Sequence, residues 1–111
     1  MAEARKKAKE IFQQGVERME EGAWQDAIEA FEKVLEIDEN NVEALFNIGV
    51  ACMEMARVDI EKDEFLEDRS DEEGWILRAI AEFNKVLEIE PENEEAKERI
   101  RLLNKILGMG V

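Results

Sequence analysis

Phe12, Val16 and Met19 are spaced four and three residues apart, and the same three residue types return 34 positions later as Phe46, Val50 and Met53. On an α-helix that spacing puts each trio on one face. Each trio is then an apolar surface, able to take up apolar side chains from a partner or from a neighbouring helix. Leu102 continues the series nearer the end of the sequence. Acid–base and metal chemistry have few candidates. There is no His and no Tyr, which removes the commonest general base and the commonest metal ligand. Cys52 lies between Ala51 and Met53 with no Lys nearby in sequence. A thiol becomes reactive beside positive charge, so Cys52 reads as a small buried hydrophobe. No Gly-rich phosphate loop is present, and every Asp and Glu falls where a helix surface would carry it. The expectation is a protein that is not an enzyme and has no cofactor or catalytic metal.

Charge narrows the partners. The 111 residues carry 15 basic and 29 acidic side chains, a formal charge of −14. Nucleic acid and anionic membrane are polyanions, so neither is an expected partner. Residues 54–73 hold ten acids and three bases, or −7, half of the total. Asp59, Glu61, Asp63, Glu67 and Asp68 in this stretch could collect a divalent cation. They lack the Gly and terminal Glu of an EF-hand loop, and a solvated acidic face is the better reading. Phe65 and Leu66 are its large apolar side chains in the expected loop. The ends are mildly basic, +2 over residues 1–10 and +1 over residues 94–111. The sequence starts without the apolar core of a signal peptide, no apolar run approaches the roughly 20 residues of a membrane span, and one Cys cannot form an internal disulfide. A cytoplasmic location is expected.

The elements that must hold these residues follow from self-similarity. Besides the offset of 34, residues 27–37 match residues 79–89 at eight of eleven positions, an offset of 52. The difference is an 18-residue insertion within the second unit. A period in the thirties reads as stacked helical hairpins. Apolar spacing and end signals give five helices: about Ala2 to Glu21, broken by Gly22; Trp24 to Ile37; Val42, after the N-cap Asn41, to about Lys62; from the capping-box pattern at Ser70 to near Glu90; and from after Asn93 to Leu107, with Gly108 as C-cap. The third is apolar nearly all round, as a helix between two neighbours must be. Trp24 and Trp75 occupy adjacent slots at the same kind of turn and read as hairpin packing.

The residues at set distances resemble the tetratricopeptide repeat (TPR) family: Ile11, Gly15, Gly22, Trp24, Ala27 and Phe31 in the first unit, and Leu45, Gly49, Gly74, Ile76, Ala79, Phe83 and Pro91 in the second. The resemblance implies one all-α domain over 1–111. Repeat one covers about 8–41. Repeat two covers 42–93, with the acidic insert at about 56–73, and a closing helix covers 94–107. It implies a right-handed superhelix of antiparallel hairpins whose first helices line a concave groove. Phe12, Val16, Met19, Phe46, Val50 and Met53 then line that groove, Leu102 extends it, and Glu20, Glu43, Glu54, Glu95 and Glu98 rim it. Some family members hold acidic chaperone tails in a five-residue carboxylate clamp. Here Asn47 and Arg99 match, while Phe12, Val16 and Glu95 do not, and a Glu facing a carboxylate repels it. The expected partner is therefore a protein or peptide, apolar with basic flanks, such as an amphipathic helix. Two other readings stand beside it: a homo-oligomer or scaffold joined through the groove or the termini, natural or engineered, and rows that are simply core. The lone Cys, five Met and irregular insert look more natural than designed.

Overall fold

The structure is a computed structural model that describes the backbone of residues 2–62 and 70–108, with the side chains of 2–56 and 73–108. Five helices follow in order: α1 (Ala2–Glu20), α2 (Trp24–Ile37), α3 (Val42–Lys62), α4 (Ser70–Ile89) and α5 (Glu94–Ile106). No strand occurs among the described residues. Consecutive helices pack together, α1 on α2, α2 on α3, α3 on α4 and α4 on α5. This is the all-α hairpin stack expected from the repeats. The Ser70 capping-box bonds, Phe65, Leu66 and the acids Asp59, Glu61, Asp63, Glu67 and Asp68 have side chains outside the described residues.

The turns show why the helices stop where they do. Gly22 adopts φ 76°, a left-handed conformation that glycine takes without a Cβ clash. Around it Gly22 N–H donates to Met19 O at 3.0 Å and Ala23 N–H to Arg18 O at 2.8 Å, a Schellman stop that satisfies the last carbonyls of α1. The starts of α3 and α5 are capped by asparagine. Asn41 Oδ1 accepts from Ala44 N–H at 2.9 Å, and Asn93 Oδ1 from Ala96 N–H at 3.0 Å. Each cap occupies one of the donors a helix N-terminus leaves free. Asn41 and Asn93 lie 52 residues apart, so the internal repeat extends into the turn geometry.

Inside, Phe31 of α2 and Phe83 of α4 are fully buried, with Ala27, Val34, Ala79 and Val86 beside them. Both rings lie against a glycine of the preceding helix. A Cβ built on Gly15 would come within 2.8 Å of the Phe31 ring, and one on Gly49 within 2.6 Å of Phe83. Glycine at these positions lets the helices of each hairpin approach closely. As its all-round apolar pattern implied, α3 is buried from Ala44 and Leu45 through Ile48, Ala51, Cys52 and Met53 to Ala56. Trp24 and Trp75 are half-buried against the same core. α5 differs from its counterparts. At the offset of 52, the places of Leu45 and Gly49 are taken by Lys97 and Arg101, which pair with Glu94 at 3.3 Å and Glu98 at 3.5 Å.

Candidate partner-binding surface

The two Phe-Val-Met rows lie on α1 and α3 and are partly sunk into the protein. Phe12 meets Phe31 edge-on, with ring centres 5.2 Å apart and planes at 65°. Phe46 meets Phe83 in the same way, at 5.1 Å and 65°. Edge-to-face contact of this kind is the arrangement aromatic quadrupoles favour. Phe12, Val16, Met19, Phe46 and Val50 are half-buried against the core. Met53 is buried, at 8% exposure. Arg99 on α5 accounts for part of that cover. Its guanidinium carbon lies 5.7 Å from the Phe46 ring centre, and its Nη1 approaches Met53 Sδ at 3.8 Å. Arg99 thus ties α5 to α3 by cation–π attraction. Leu102, at 48% exposure, is the one member of the series that stands clear of the core. Of the expected acidic rim, Glu20, Glu43, Glu95 and Glu98 are exposed and Glu54 is half-buried.

Two cavities open along the N-terminal ends of these helices. The first, about 670 Å³, is lined by Arg5, Lys9, Phe12 and Gln13 of α1 and by Ile37, Asp38, Asn41 and Glu43. The second, about 490 Å³, has Phe46, Asn47 and Val42 of α3 on one side and Glu90, Asn93 and Glu95 on the other, with Asn41 and Glu43 shared. They are repeat-related copies. Phe12, Gln13 and Lys9 correspond to Phe46, Asn47 and Glu43 at the offset of 34, and Asp38, Asn41 and Glu43 to Glu90, Asn93 and Glu95 at the offset of 52. Their electrostatics differ. Arg5 and Lys9 balance Asp38 and Glu43 in the first, whereas the second has Glu43, Glu90 and Glu95 with no base among its lining residues. Reading the rows alone missed these cavities. The signal was available where both offsets meet at Asn41 and Glu43.

The remaining chemistry is sparse. Burial pushes the Cys52 thiol up to about 11, against the opposing pull of Arg78. A thiol in that environment stays protonated at neutral pH and is a poor nucleophile. Among the described residues no group of three or more His, Cys, Asp or Glu is placed to hold a metal ion, and no helix is long and apolar enough to cross a membrane. Sequence reasoning also passed over Glu82, a buried acid on α4.

A family model for the TPR repeat matches residues 15–55, from Gly15 in α1 through α2 and most of α3. With the five-helix all-α fold around it, that match supports a TPR-like helical repeat. No curated protein matches it in a sequence comparison. TPR repeats generally mediate protein–protein interaction, and the family is typically non-catalytic.

Proposed function

We propose that this protein is a non-catalytic binding module. Its α1–α3–α5 surface takes up a segment of another protein that carries apolar side chains with basic flanks. The observation that carries the reading is the pair of repeat-related cavities, each with a half-buried phenylalanine in its wall. One repeated site fits one repeated ligand contact. Phe12 and Phe46 supply apolar wall, Asn47 a polar contact, and Val16, Met19, Val50 and Leu102 extend the apolar surface between the helices. Met53 and Arg99 act from beneath, by holding Phe46 and α5 in place. The second cavity, lined by Glu43, Glu90 and Glu95, suits a Lys or Arg beside the apolar anchor, because opposite charge steers encounter and fixes register. Its location is taken to be cytoplasmic.

Selection from a displayed peptide library tests this. Enriched peptides should combine large apolar residues with Lys or Arg. Phe46→Glu should abolish their binding while far-UV circular dichroism stays near wild type. Enrichment of acidic or purely polar peptides would overturn the reading, as would undiminished binding by a folded Phe46→Glu protein.

A second reading is self-association. Leu102 and Ile106 expose 48% and 55% of their surface on α5, beside the basic Arg101 and Lys105. One molecule's basic α5 could meet another's acidic middle. Sedimentation at low and high salt decides it: a monomer under both conditions removes this reading.

A further inference from the structure

Glu82 is the only charged or polar side chain that is buried among the described residues, at 6% exposure. It lies on the inward stripe of α4, with Ala79, Phe83 and Val86 at helical spacing. The matching place in the first repeat, 52 residues earlier, is Ala30. A carboxylate has thus been put where the repeat otherwise places a methyl group.

Its hydrogen bonding is incomplete. Arg78 Nε stands 3.6 Å from Oε2 and Lys85 Nζ 3.6 Å from Oε1, both beyond hydrogen-bond distance. Oε1 is buried and has no donor. Arg78 spends its short bond, 2.6 Å, on Glu32 of α2 instead. Lys85 is 55% exposed, so water holds its ammonium as readily as Glu82 does. A buried carboxylate oxygen without a donor is unusual and costly.

The same side chain lines an open cavity of about 640 Å³ between α2 and α4, with Ile48 of α3 and Leu35 of α2 as its apolar lining. Four carboxylates, Glu29, Glu32, Glu36 and Glu82, face three cations, Lys33, Arg78 and Lys85. The local balance is acidic, in a chain of charge −14.

We propose that this cavity is a second binding site, for the cationic end of a lysine or arginine side chain presented by another protein. The incoming ammonium or guanidinium takes the place of the Lys85 ammonium, which stands 3.6 Å from Glu82 Oε1, and donates an N–H to that oxygen, with its methylene stem along Leu35. A cation completes the buried carboxylate's hydrogen bonding and offsets the acidic excess. The apolar lining gives the stem a contact that a water molecule could not use. The site is separate from the α1–α3–α5 surface and does not depend on its reading.

The test is titration of the ¹³C-labelled protein with three capped tripeptides, acetyl-Gly-Arg-Gly-amide, acetyl-Gly-Lys-Gly-amide and acetyl-Gly-Gln-Gly-amide, following glutamate side-chain carboxyl carbons by NMR. The Glu82 carbon should shift and saturate with the Arg and Lys peptides and stay still with the Gln peptide. Glu82→Gln should weaken the Arg peptide about ten-fold or more, the scale of one charge-assisted hydrogen bond. Lys85→Gln removes the competing ammonium from an exposed position and should tighten binding a few-fold. A silent Glu82 carbon, or one moving no more than every exposed glutamate, would overturn the proposal. Binding unchanged or weakened by Lys85→Gln would also do so, and Glu82 would then be only the centre of an internal ion-pair cluster.

Discussion

Replacing Gly49 with alanine tests the packing that holds the second hairpin together. Alanine is favoured over glycine inside a helix by about 1 kcal/mol, so a change without steric consequence would stabilise α3. Here the new Cβ would sit 2.6 Å from Cζ and 2.7 Å from Cε1 of Phe83, closer than carbon atoms tolerate. Phe83 is fully buried, so its ring has no free space to retreat into. Overpacking of this kind costs about 1–3 kcal/mol. The net expectation is a loss of up to about 2 kcal/mol. Gly74 is the internal control. It lies within α4, is exposed, and a Cβ there meets nothing within 4 Å. Gly74→Ala should therefore gain up to about 1 kcal/mol, which separates the two variants by the steric cost alone, about 1–3 kcal/mol. Gly15→Ala, with its nearest approach at 2.8 Å, should fall between them. Urea unfolding followed by circular dichroism reads these differences as midpoint shifts at a common slope. If Gly49→Ala proves as stabilising as Gly74→Ala, the glycine–phenylalanine approach does not set the hairpin spacing and the reasoning fails.

Two further outcomes follow from the turns and the core. Asn41→Ala and Asn93→Ala should each cost about 1 kcal/mol in urea unfolding, and by similar amounts, because the capping bonds match at 2.9 and 3.0 Å. Cys52 should resist a thiol reagent in the folded protein at pH 8 and react fully in denaturant. Its folded pKa, pushed up to about 11, exceeds the ordinary value of 9.0, so the unfolded chain loses its proton first. The stability this gives is fully present below pH 9 and is lost as pH rises towards 11, and a Cys52→Ala variant should lack that component of the alkaline decline.

The helices were legible because several local signals agreed at the end of α1 and at the starts of α3 and α5. Gly22 marks a stop that its positive φ confirms, and Asn41 and Asn93 mark starts that their capping bonds confirm. Apolar period, repeat offset and cap all pointed to the same boundaries, as they do in a sequence with little local conflict. The depth of the surface residues was not legible. A helical period says which residues share a face, but not what lies across from it. Phe46 is half-buried because Phe83, 37 residues away, meets it edge-on, and Met53 is buried beneath Arg99, 46 residues away. Arg99 matches a clamp position in the sequence, and its contacts are with the protein's own α3. Glu82 could have been found, since it falls on the same stripe as Ala79, Phe83 and Val86. Its counterpart Ala30 hid it, because alignment rewards identity and passes over the one place where a charge replaces a methyl group.

The charged face of α5 has a consequence for assembly beyond this molecule. Hairpin stacks are open-ended in principle, since each new unit presents the surface on which another can dock. In α5 the two places that seat the next helix elsewhere carry Lys97 and Arg101. A second copy seated there would have to strip water from both cations and displace their glutamate partners, with no phenylalanine pocket gained in return. Seating a further hairpin at those two positions therefore costs more than seating α4 on α3 does. Adding hairpins by design would begin with those two residues.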